Sequence, residues 1–114
     1  MEKEEKAFVP IVKTREAVKV FIGDIVYIES NGRKIAVRAD DETYCMYAKL
    51  TDIEQFLDFR FYKCHSRCII NLEKVIKMKN QEIIFEGGEQ LYISRQKFTD
   101  TIRFYKGYLL KRTE

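Results

Sequence analysis

Residues 59–71 read Phe-Arg-Phe-Tyr-Lys-Cys-His-Ser-Arg-Cys-Ile-Ile-Asn. An apolar and aromatic set, Phe59, Phe61 and Tyr62, runs into the polar stretch Lys63 to Ser66, with Arg67 behind it. The chain then returns to an apolar run at Cys68, Ile69 and Ile70. A strand that halts for a basic, hydrogen-bonding corner and resumes as a strand presents side chains from a rigid scaffold. Lys63 and Arg67 carry charge suited to phosphates. His65 and Ser66 are short groups suited to phosphates or base edges. Asn71 ends the return strand, where its side chain is expected to satisfy backbone groups of a turn with Leu72 and Glu73.

Outward from this corner the chain reads mainly as short strands. Val18 to Ile22 is β-branched and is broken by Gly23-Asp24. Ile25 to Glu29 follows, then Ser30-Asn31-Gly32-Arg33 as a hairpin turn centred on Asn-Gly, whose two residues accept positive φ. Lys34 to Arg38 and Thr43 to Tyr47 are strands joined by the acidic turn Asp40-Asp41-Glu42. Val75 to Lys79 and Glu82 to Glu86 form a hairpin over Asn80-Gln81, and Gly87-Gly88 leads into a last strand, Gln90 to Ile93. Two segments have helical period. Thr51-Asp52-Ile53-Glu54 reads as a capping box opening a short helix with Ile53, Phe56 and Leu57 on one face. The C-terminal stretch places Phe98, Ile102, Tyr105 and Leu109 on one stripe, with Ser94 as N-cap. Strands, helix, strands, helix in that order argue for a mainly-β domain rather than βαβ units.

At 114 residues the chain is sized for one domain, with residues 1–7 expected as a charged, disordered tail or linker remnant and 8–114 as the globular part. No long apolar run suits a membrane span and no signal-peptide layout is present, so a cytoplasmic domain is expected. The net charge of +3 is small, but it is unevenly spread. Residues 1–57 hold 9 basic and 11 acidic residues, while residues 58–114 hold 12 and 7. The C-terminal half can therefore offer a positive face.

Three cysteines without a secretory signal argue against a disulfide framework. Cys45 is expected as a small core residue. With Cys64, His65 and Cys68 it also makes four soft ligands, the alternative reading of a small zinc-binding or thiol-redox module. Adjacent residues of a strand face opposite ways, which sets His65 against Cys64 as co-ligands. A thiol enzyme would need a base that Cys64 can reach, and the only histidine is its immediate neighbour, so no catalytic residue and no cofactor is expected.

Four stretches, in order and at matching spacings, resemble one family. Ile25-Val26-Tyr27-Ile28-Glu29 is similar to its I-x-Y-I-E strand, and Leu50-Thr51-Asp52-Ile53-Glu54 to its L-x-x-(I/L)-E helix. Phe61 to Asn71 resembles its central F-x-(R/K)-x-H signature, with the serine one place earlier than in many members. Ile93-Ser94-Arg95 resembles its closing (I/V)-S-R. The family is the LytTR-type DNA-binding domain of bacterial transcription regulators, and the resemblance covers about residues 8–107. It implies an elongated antiparallel β structure, sheet or sandwich, without helix-turn-helix, that sends loops into successive major grooves of double-stranded DNA. It also implies repeated half-sites bound by pairs of protomers, and an upstream receiver or sensor domain, as in response regulators of two-component systems.

Three loops then qualify as readers. In the first, Arg33 is expected at a base, with Asn31 and Lys34 at phosphates. In the second, His65 and Ser66 are expected at bases, Lys63 and Arg67 at phosphates. His65 can also act inward, fixing its turn. In the third, Arg95 offers two parallel donors to guanine O6 and N7, and Lys97 meets phosphate at a helix N-terminus.

Overall fold

The computed structural model describes residues 7–112, so residues 1–6 of the expected tail lie outside the described residues. Among the described residues, ten strands form three antiparallel sheets accompanied by two helices. β1 (Phe8–Lys13) and β2 (Glu16–Phe21) pair as a ribbon. β1 is not among the expected strands, because Pro10 interrupts its pattern; a ribbon strand with one unpaired edge tolerates the missing N–H.

β3 (Ile25–Asn31), β4 (Lys34–Ala39), β5 (Thr43–Tyr47), β6 (Phe61–His65) and β7 (Cys68–Asn71) form the central sheet in the order β5-β4-β3-β7-β6. β8 (Val75–Lys79), β9 (Glu82–Phe85) and β10 (Gln90–Tyr92) form the third sheet. The central sheet is buried on both faces. Ile28, Ile35, Val37 and Ile69 pack with Val9, Ile11 and Val20 of the ribbon and with Leu50 and Ile53. On the other face Cys64, Cys68 and Ile70 pack with Val75, Ile83, Phe85, Ile93 and Tyr105. All four residues of β7 are buried, which explains why Cys68-Ile69-Ile70 is an apolar run rather than an alternation. Asn71 behaves as expected: its Nδ2 donates to the Ile25 carbonyl at 2.8 Å and its Oδ1 accepts from the Glu73 N–H at 2.9 Å.

Several local expectations shift. The short helix α1 spans Leu50–Ile53 and continues as a single 3-10 turn, Glu54–Phe56. Its start is held by the Asp52 carboxylate, which accepts from the Lys49 N–H at 3.0 Å, and not by a Thr51–Glu54 box. Leu50 and Ile53 are both buried, and seating Leu50 draws the N-cap back two residues, from Thr51 to Lys49. α2 spans Arg95–Arg112, and Ser94 does cap it, accepting from the Lys97 N–H at 3.3 Å. Its stripe runs through Phe98, Thr101, Tyr105 and Tyr108. The Tyr105 hydroxyl donates to the Val75 carbonyl at 2.7 Å. Leu109 falls on the flank of that stripe and is exposed. Cys45 is exposed as well, not a core residue. On edge strand β5 the alternation turns Tyr44 and Met46 toward the first cluster and leaves Cys45 on the uncovered side.

Candidate nucleic-acid interface

The β3–β4 hairpin turns on Gly32 and Arg33, with Asn31 paired to Lys34 at its base. Gly32 has φ +68°, so positive φ is needed only there, at the first central position, and the turn sits one residue later than Asn-Gly at its centre implies. Arg33 is thereby at the tip. The β6–β7 hairpin turns on Ser66 and Arg67, with His65 paired to Cys68. The Arg67 carbonyl accepts from the Ser30 N–H at 2.9 Å, which locks the second tip beside the first.

α2 packs along β6 in the opposite direction. Tyr62 stacks on Phe104 with ring centroids 4.4 Å apart, and Lys97 near the helix start lies close enough to His65 to act on its charge. The first turn of α2 therefore reaches the same end of the sheet as the two hairpin tips. A further loop joins them. The Ile93 N–H donates to the Gln81 carbonyl at 3.0 Å, and Gln81 Nε2 donates to the Ile93 carbonyl at 3.0 Å. The β8–β9 turn, with Asn80 and Gln81 both at positive φ, thus braces the strand end from which Ser94 and Arg95 emerge. Lys79 and Asn80 are exposed there, beside the helix start, and were absent from the sequence-based set. The Asn80-Gln81 turn is legible in sequence, but its closeness to Ser94 is a long-range contact with no local signal.

Arg33, Arg67, Arg95 and Lys97 are exposed and form no ion pair among the described residues. Lys34 is exposed too, its ammonium 5.1 Å from the Tyr47 ring centroid. Lys63 is placed differently. It pairs in register with Ile69, on the first-cluster face, and its Nζ lies 3.3 Å from Glu54.

His65 is half-buried, and its Nδ1 accepts the Arg67 N–H at 3.2 Å. Burial holds its pKa below the ordinary histidine value; Glu29 opposes this, while Lys97 and Arg67 add to it. A neutral imidazole whose Nδ1 accepts a hydrogen bond carries its proton on Nε2. His65 therefore both fixes its turn and presents an N–H donor, the group that meets an acceptor such as a purine N7.

The ligand atoms of Cys64, His65 and Cys68 lie within 4.8 Å of one another. This corrects the expectation that His65 faces away from Cys64. The register of β6 slips between Lys63 and His65, so strict alternation fails at that point. Cys45, by contrast, drops out of the four-ligand set. It aligns across β4 and β3 with Cys68, three strand spacings away, or about 14 Å. Cys64 and Cys68 are buried side by side, and proximity to a second thiol together with burial pushes the Cys68 thiol far up.

Among the described residues no helix is long and apolar enough to cross a membrane. The family model of the LytTr DNA-binding domain matches residues 15–103. A LytTr DNA-binding domain from Bacillus cereus shares the fold with a TM-score of 0.72 at 22% identity, over 90% of this chain and 99% of that one. Accessory gene regulator protein A from two strains of Staphylococcus epidermidis is 29% identical over 82 residues, 68% of this chain and 34% of the relative. The chain thus spans about a third of the length of these curated relatives. With the family pattern matched over most of its residues and the same antiparallel architecture beneath it, the chain belongs to the LytTr DNA-binding domain family.

Proposed function

We propose that this domain binds double-stranded DNA sequence-specifically, sending the Gly32-Arg33 tip, the Ser66-Arg67 tip and the first turn of α2 into successive major grooves. The observation that carries this reading is the gathering of unpaired Arg33, Arg67, Arg95 and Lys97 at one end of the central sheet. Arg33, His65, Ser66 and Arg95 would read base edges. Asn31, Lys34, Arg67 and Lys97 would hold phosphates, with Lys79 and Asn80 beside them. Lys63 would reach phosphate only by leaving Glu54, a surface pair that costs little to open.

In the cell this would be the cytoplasmic output domain of a bacterial response regulator, controlling transcription under a receiver or sensor domain. The footprint of one small domain is modest, so two protomers would occupy repeated half-sites, associating chiefly on the DNA. The test is the salt dependence of affinity for a duplex selected from random sequence. Three or four phosphate-bound cations give a slope of log affinity against log salt of about −3 to −4, roughly a hundredfold loss between 50 and 200 mM salt. A flat slope removes this end of the sheet as the binding surface.

A further inference from the structure

We propose that Cys64, His65 and Cys68, with the acidic Glu29 nearby, form a site for a thiophilic divalent cation, zinc above all, beneath the β6–β7 hairpin. The three ligand atoms already lie within 4.8 Å of one another. A tetrahedral zinc with sulfur at about 2.3 Å sets its sulfurs about 3.8 Å apart, so closure requires a shift of about an ångström. The slip in register at Cys64 places that adjustment on a bulged residue rather than within a regular ladder. Two thiolates and a neutral imidazole carry two negative charges, which a divalent ion cancels; a buried site requires such cancellation.

Glu29 adds a nearby negative charge. It pairs directly with Cys68 across β3 and β7, so both side chains leave the same face of the sheet with Cβ atoms about 5 Å apart. It is half-buried and makes no ion pair among the described residues. Its negative charge is felt at Cys64, His65 and Cys68 alike. Its carboxylate stands outside the group of mutually close ligand atoms, so it favours a cation through its charge and leaves the fourth position to water. Cys64 is 3% and Cys68 0% exposed, so entry is from the side of half-exposed His65. An ion at Nε2 moves the imidazole proton to Nδ1, which then gives up the hydrogen bond that it accepts from the Arg67 N–H. If His65 also meets a base, ion and DNA compete for Nε2. This consequence rests on the proposed function, whereas the site does not.

The test needs no DNA. Fully reduced protein is titrated with zinc against a chromophoric chelator, and bound metal is counted after dialysis. One zinc per chain is expected, with the same affinity in Cys45→Ser, at least a hundredfold loss in Cys68→Ser and about a tenfold loss in Glu29→Gln. Cobalt in the wild-type protein covers the case in which Cys68→Ser does not fold. A thiolate-to-cobalt charge-transfer band, with amide shifts on metal addition confined to the neighbourhood of residues 29 and 63–69, supports the site. Substoichiometric zinc, uptake that depends on Cys45, or cobalt binding without the thiolate band overturns it. Unchanged affinity in Glu29→Gln overturns the electrostatic role of Glu29.

Discussion

The two ends of the central sheet carry similar numbers of cations and use them in opposite ways. At the end away from the hairpin tips, Arg38 Nε and Nη2 donate to one oxygen of Glu89 at 3.1 and 2.9 Å. There Lys74 pairs with Asp40 at 3.1 Å, and Arg60 pairs with Asp58 at 2.8 Å and lies 3.9 Å from Glu73. Arg38–Glu89 ties β4 to the β9–β10 turn, Lys74–Asp40 ties the crossing from β7 to β8 to the β4–β5 turn, and Arg60 ties the segment before β6 to that crossing. At the tip end, Arg33, Arg67, Arg95 and Lys97 have no carboxylate partner among the described residues. The number of cations does not separate the two groups; the position of nearby acids does. A cation already held by a carboxylate supports the fold, and a cation without one is available to a polyanion.

This contrast predicts that mutations at the paired end cost stability and those at the tip end cost binding. The largest effect is expected at Asn71, which ties β3, β7 and the following turn at the paired end. Asn71→Ala leaves the buried Ile25 carbonyl and the Glu73 N–H unsatisfied and should cost about 2–4 kcal/mol in urea unfolding. A loss under 1 kcal/mol would mean that water replaces the side chain. Next is Arg95→Ala at the tip end, which should weaken the best DNA site by about 1–3 kcal/mol and scrambled DNA by less, while Tm stays unchanged. Lys97→Ala should weaken both duplexes equally. If Arg95→Ala lowers both affinities by one factor, it holds phosphate only, and base reading passes to Arg33 or to His65 and Ser66.

Acid sharpens the comparison at the paired end. The Arg38 guanidinium holds the Glu89 carboxyl below the usual glutamate value. A carboxyl lowered in the folded state adds stability that is fully present above its unfolded pKa and disappears as pH falls through the folded one. Stability should therefore decline on the acid side of the ordinary glutamate range, and Glu89→Gln should flatten that part of the profile. Equal acid dependence in the variant would show that the pair contributes nothing to folding. The smallest effect belongs to neither end. The Thr101 hydroxyl is buried in α2 without a hydrogen-bond partner among the described residues. Thr101→Val should raise stability by about 1 kcal/mol, with DNA affinity unchanged. A lower Tm would show that the hydroxyl has a partner in solution.

Much of this arrangement was legible in the residues. The hairpin over Asn80-Gln81, the Ser94 cap and the turn-holding role of Asn71 are local matters, set by side-chain hydrogen bonding and by φ within a few residues; the corner expected from Lys63 narrows to Ser66-Arg67, because β6 runs on to His65. Local rules failed where burial elsewhere overrode them. Leu50 drew the helix start away from Thr51, an uncovered sheet face exposed Cys45, and the slip in β6 brought His65 to Cys64 and Cys68.

The sequence by itself determined the mainly-β class, nearly all the strands and the kinds of residue on each loop, because periodicity and turn chemistry are encoded at short range. Only the tertiary structure decided which cations stay free. The Arg38–Glu89 pair spans 51 residues and the Lys74–Asp40 pair 34, and no pattern along the chain distinguishes those cations from Arg67 or Lys97. The physical reason is that Coulomb attraction depends on separation in space, and that separation is fixed by how the three sheets stack.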